Sequence, residues 1–382
     1  MNGKQRVRLA IARQCPDRVP LGLYAIDCDT AGRILGRKTL IRDKPGIQLA
    51  LWQGRRKEVA ESLKVDVVEL FSKLDVVDVI LFKEAQVLPP ADYEPRMPRK
   101  IGEDLYEDDQ ARVWQLSWLS NDVTMVKDPG VAPPAVYTPQ MFPMADPAAT
   151  PRPDPSCYEV FDHMAAHLGS DHYIASCTGG LKCMPLPGGM EHGLMQYALA
   201  PDAMAAAARR EASLAELRDE VAVRRGCDGV FIEEDMAGSN GLLISPSQWR
   251  EICRPALSRR VADLKRRAGQ VTLHCCGRTL AIMEDLIDCG VDCYQSLQTL
   301  AGMAPENVCP QFGDRMAFWG GAPVELLVGG SPAEMREAVR RTMQATAAYP
   351  GFIFGPSHSV AFGTKYDNFM AMLDEFDRLA AR

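Results

Sequence analysis

The chain has 382 residues, 47% hydrophobic and 24% charged, the make-up of a globular protein long enough to bury a large core and unlike that of a disordered, collagenous or coiled-coil chain. Its 43 Lys and Arg against 50 Asp and Glu leave a formal charge of −7; duplex-binding domains usually carry a basic footprint, so nucleic acid is not an expected partner. No apolar run approaches the roughly 18 to 20 residues of a membrane-spanning helix, and Met1 to Arg13 has no apolar signal core behind it, so a cytoplasmic protein without membrane contact is expected. Twelve cysteines in such a chain are too sparse for a disulfide scaffold and should stay reduced.

In chain order, Met1 to Arg13 has helical spacing. Pro16 and Pro20 bracket a turn, and Val19 to Ile26 then reads as a buried strand with Asp27, Cys28 and Asp29 at its exit. Gln48 to Leu63 again has helical spacing, and Asp66 to Phe71 is expected to form a second strand. Between Ile80 and Met125 apolar residues alternate with charges in short runs, which predicts an antiparallel insertion. From Pro129 to Pro155 the chain holds nine of its 27 prolines. Such a stretch lacks the amide hydrogens of a helix or central strand, so a proline-rich arm is expected that packs over the body or reaches a second copy in a homodimer. No composition break divides the chain, and a single domain over 1–382 is expected, with 80–155 as insertion and arm.

The second half is more regular. His172–Ser176, Gly229–Ile232, Val271–His274, Val291–Tyr294, Met316–Trp319 and Gly351–Phe354 are short apolar segments separated mostly by helical patterns. Ser245-Pro246 and Ser331-Pro332 each place a serine cap and a proline at the first helical position, with Gln248 or Glu334 three residues after the cap. Strand, loop and helix recur about eight times, so the fold class is α/β, with a (β/α)8 TIM barrel the simplest architecture and an open doubly wound sheet second. No glycine-rich phosphate loop follows any strand, which weakens the second option.

In a barrel, catalytic groups sit at the carboxyl ends of strands. Those ends carry Glu233, Glu234 and Asp235; His274, Cys275 and Cys276; Gln295 and Gln298; and Ser357 and His358. In an extended segment residues i and i+2 point the same way, so His274 and Cys276 can converge on one ion while Cys275 faces the opposite side. Imidazole with thiolate is a pairing that zinc favours. His358, in a loop of small residues, is the only histidine after His274 and is the candidate third ligand; Gln298, Glu233 or Glu234 could complete the shell. Three consecutive carboxylates at a strand exit are costly unless water, cations or substrate reach them. His163 and His167 read as the polar face of a helix, and Cys177 and Cys183 have the wrong spacing for a CxxC redox pair.

Several motifs, Ile232-Glu233-Glu234-Asp235-Met236, His274-Cys275-Cys276-Gly277, Gly290-Val291-Asp292, Phe318-Trp319-Gly320-Gly321 and Pro356-Ser357-His358, together with the N-terminal Pro16-Asp17-Arg18-Val19-Pro20, resemble the uroporphyrinogen decarboxylase superfamily. The resemblance is closer to its corrinoid-dependent methyltransferase branch, which includes methylcobalamin:coenzyme M methyltransferases. It implies a barrel with its site at the carboxyl mouth. In that branch an H-x-C pair and a later cysteine bind zinc; His274 and Cys276 match the first two, and His358 stands where the later cysteine would be. A zinc with fewer thiolates is a stronger Lewis acid. The arginine-rich N-terminal segment of true uroporphyrinogen decarboxylases has no counterpart, and Tyr24 to Asp29 stands in its place.

The resemblance therefore implies a zinc-dependent methyltransferase that exchanges a methyl group between a small methylated substrate and the cobalt of cobalamin carried on a separate corrinoid protein. The metal ligands would be His274, Cys276 and His358. Glu233, Glu234 and Asp235 would be the catalytic carboxylates, with Tyr24, Asp27, Gln298 and Ser357 against the substrate. The alternatives are a cofactor-independent decarboxylase of a uroporphyrinogen-like substrate and a non-catalytic small-molecule-binding barrel.

Overall fold

The computed structural model describes residues 1–130 and 132–381. Its centre is a curled, seven-stranded parallel sheet. The strands, in chain order with the others, are β1 (Val79–Leu81), an excursion of β2 (Arg99–Gly102), β3 (Leu105–Glu107), β4 (Val113–Ser117) and β5 (Asp122–Lys127), then β6 (Tyr173–Ser176) and β7 (Gly229–Glu233). A two-residue hairpin, β8 (Ala237–Gly238) and β9 (Gly241–Leu242), precedes β10 (Val271–His274), β11 (Cys293–Gln295), β12 (Ala317–Ala322) and β13 (Phe352–Pro356). The parallel sheet runs β1-β6-β7-β10-β11-β12-β13.

The predicted first strand stands between the two edges of that sheet. Leu21 bridges Phe354 of β13 and Gly22 bridges Val79 of β1, both in parallel sense. The Gly22 amide donates to Phe354 O (2.9 Å), and the Phe354 amide donates to Pro20 O (2.8 Å). The segment stays irregular because Pro20 brings no donor and Gly22 lies flat against Trp319, where a Cβ would come within 2.5 Å of the indole. The result is an α/β, TIM-barrel-like architecture.

Two-residue periodicity sorts each strand. Val230, Ile232, Val271, Leu273, Phe318, Phe352 and Phe354 join the large core shared with the helices, whereas Tyr24, Phe231, Cys293, Ala317, Trp319 and Ile353 form a second cluster inside the curl of the sheet. Both faces are covered, which is why the strands read as short apolar runs without alternation of polarity.

The insertion is antiparallel as expected, a four-stranded sheet in the order β2-β3-β4-β5. Asp66 to Phe71 is a correction: it lies within the helix Arg56–Lys73, and the second strand of the architecture is β1. Val59, Ala60, Leu63, Val67, Leu70 and Phe71 are the buried apolar positions of that helix, a spacing of three and four that a six-residue window hides. Among the described residues of 129–155 there is no strand and only two 3-10 turns, at Pro139–Met141 and at Pro155–Tyr158, the latter ending just beyond the segment. Tyr137 and Phe142 pack against the core, and the Tyr137 amide donates to Gln196 Oε1. The Ser331 cap forms a full capping box with Glu334, and Ser245 Oγ accepts from the Gln248 amide. No helix of the described residues is long and apolar enough to cross a membrane.

Candidate metal centre

β10 places the centre. Its register sets His274 beside Glu233 of β7 and Gln295 of β11, one step beyond the row in which Thr272 lies between Phe231 and Cys293. His274 thus continues the row that faces the inside of the sheet. Cys276 follows two residues later, and His358 lies two residues past the end of β13. The ligand atoms of His274, Cys276 and His358 all lie within 4.8 Å of one another. Cys275 points away and is fully buried, with its Sγ accepting from the Met236 amide at 3.3 Å.

The donor set fits a zinc ion. His274 Nδ1 is bonded to Gln295 Oε1; because a carbonyl oxygen only accepts, Nδ1 carries the proton and Nε2 presents its lone pair. That Nε2 is 3.4 Å from Cys276 Sγ. One zinc could be held by both atoms across such an edge. His358 Nδ1 meets Ser359 Oγ at 3.0 Å, which leaves its Nε2 free. Burial lowers the pKa of His274, and burial together with the neighbouring His274 brings His358 down to about 4, so both imidazoles are neutral ligands at neutral pH. Burial pushes the Cys276 thiol up to about 11, against the pull of the Ser296 hydroxyl; binding a cation displaces that proton.

Each carboxylate after β7 has a different task. Glu233 takes the Tyr24 hydroxyl on Oε1 and the Lys83 ammonium on Oε2. Burial disfavours its charge, but Lys83 and Tyr24 outweigh burial and its pKa is lowered. Glu234 points outward and is half-buried, accepting from the amides of Cys183 (2.8 Å) and Met184 (3.0 Å); it clamps the loop after β6. Asp235 Oδ1 accepts from the Cys276 amide at 2.9 Å, and Gln298 Oε1 accepts from the Gly277 amide at 2.9 Å. These two bonds pin the turn that carries Cys276. Gly277 has φ +83°, and a Cβ there would meet Ala237 O at 2.5 Å, so the turn requires glycine.

Of the other residues expected at the site, Tyr24 is in place: its ring stacks on His274 at 4.5 Å and lies 5.1 Å from His358. Asp27 is bound to Arg42 Nε (2.5 Å) and accepts from the Phe362 amide (2.9 Å). Ser357 is buried and accepts from the Val324 amide at 3.2 Å. Sequence reasoning missed Lys83 and Arg42. The signal for Lys83 was a short apolar run, Val79 to Phe82, followed by two charged residues; it is concealed when Asp66 to Phe71 takes the strand's place.

The fold is similar to a methyltransferase from Methanosarcina mazei, with a TM-score of 0.66 and 14% identity over 99% of both chains. No curated protein gives a significant match. Residues 201–379, which hold β7 and β10 to β13 with the three candidate ligands, match the family model for uroporphyrinogen decarboxylase (URO-D).

Proposed function

We propose that the protein is a zinc-dependent methyltransferase component that exchanges a methyl group between a small O-, N- or S-methylated substrate and the cobalt of cobalamin on a separate corrinoid protein. The observation that carries this reading is the convergence of one thiol and two neutral imidazoles, from strand ends remote in sequence, within 4.8 Å. His274, Cys276 and His358 would hold the ion, and a zinc there supplies a Lewis acid for the substrate heteroatom. Three protein ligands leave a fourth position for that heteroatom.

The chain's own residues do the rest. Tyr24 forms the aromatic wall beside both imidazoles. Lys83 keeps Glu233 ionised, and Glu233 fixes the Tyr24 hydroxyl; that hydrogen-bonded pair is the group able to hold a proton beside the reacting heteroatom. Asp235 and Gln298 hold the backbone that presents the thiolate. A decarboxylase reading draws on the family's name. It calls for many cationic side chains around a polycarboxylate, whereas the cations beside Tyr24 among the described residues are Lys83 and Arg42, enough for one acid group and not for many.

The test is elemental analysis of purified protein together with methyl transfer to cob(I)alamin, followed by its absorbance. About one zinc per chain, lost with activity in Cys276→Ser and on chelation, is the expected result. Full transfer by metal-free protein would remove the proposal.

A further inference from the structure

Two cations near the centre have more donors than partners. Lys83 Nζ makes one hydrogen bond, to Glu233, although an ammonium has three hydrogens to give. Arg42 uses only Nε, toward Asp27; no bond reaches either terminal nitrogen among the described residues, and neither is a sealed, unsatisfied atom. Both side chains are mostly enclosed, at 15% and 18% exposure. Lys83 Nζ lies 4.9 Å from the centre of the Tyr24 ring, the ring that stacks on His274. The charges of both cations are felt at His358. The anionic groups around them are Glu233, Asp27 and Glu84, of which the first two are their own partners.

A guanidinium fork with both terminal nitrogens unspent and open to solvent, next to an ammonium with two spare hydrogens, can take an incoming anion without breaking a bond within the protein. We infer that the substrate of this site carries a carboxylate, seated between Arg42 and Lys83 while its methylated heteroatom faces His274, Cys276 and His358. Tyr24 and Phe82, whose ring centre is 5.1 Å from Lys83 Nζ, would flank the carbon skeleton between the two ends. This deepens the methyltransferase reading and rests on it for the methylated end alone.

The test needs no turnover. Titration calorimetry compares methoxyacetate with methoxyacetamide, which differ only in the charge of the distal group, on zinc-loaded protein. The acid is expected to bind at least tenfold more tightly, with the difference falling to under threefold in Arg42→Gln and shrinking in Lys83→Gln. Equal binding of acid and amide, or no saturable binding of either, overturns the inference without any variant having to fold. A retained acid preference in both variants overturns it as well. Tight acid binding with no methyl transfer to cob(I)alamin would sink the methyltransferase reading and leave the carboxylate seat standing.

Discussion

Glu84 offers a quantitative check on how the mouth is built. Its Oε1 accepts from the Ile26 amide at 2.8 Å, its Oε2 has no partner, and burial pushes its pKa up from 4.5 to about 7, against the pull of Arg42. A carboxyl whose folded pKa lies above its unfolded value stabilises the fold fully below about pH 4.5, and that contribution is lost as pH rises through about 7. At about 1.36 kcal/mol per pKa unit, the loss above pH 7 approaches about 3 kcal/mol. Glu84→Gln keeps the acceptor for Ile26 and removes the titration. Urea unfolding of both proteins from pH 4.5 to 8 should therefore show the variant gaining on the parent by about 3 kcal/mol across that window. A difference that stays constant with pH, or a parent that gains on the variant as pH rises, would refute the reasoning.

The remaining predictions concern the centre and its support. Lys83→Met leaves Glu233 charged without its cation; with side chains 15% and 30% exposed the cost is below that of a sealed pair, about 2 kcal/mol in denaturant unfolding, and an unchanged midpoint would show that the pair contributes nothing. Gln295→Leu removes the acceptor that sets the His274 tautomer and should weaken zinc binding about ten- to a hundredfold in chelator competition; unaltered affinity would place His274 outside the ligand set. At Gly355 a Cβ would fall 2.0 Å from Gly22 O and 2.9 Å from Trp319 Nε1, so Gly355→Ala should lose about 3 kcal/mol by forcing the first segment off the sheet, and normal stability would mean that the closure between Leu21 and Phe354 is soft.

Much of the site was legible because strand geometry is local. That His274 and Cys276 share a side while Cys275 faces the core follows from period two alone, and the apolar runs from His172 onward were long enough in pattern to mark β6, β7 and β10 to β13. The same locality misled at Asp66 to Phe71. Four of its six residues are Val, Leu or Phe, which satisfies a strand template, and only the buried positions back to Val59 reveal the helix.

The sequence by itself determined the repeated strand-and-helix order, the antiparallel insertion and the placing of His274 and Cys276 on one side, since each is written in nearest-neighbour spacing. The tertiary structure alone decided which of Glu233 and Glu234 faces inward. Adjacent residues take opposite faces, and only the register of β7 against β10 says which face is which. It also decided that Lys83 and Arg42, with no motif around them, stand near Tyr24. Their place depends on where separate segments meet when the sheet curls, and spacing along the chain carries no record of that.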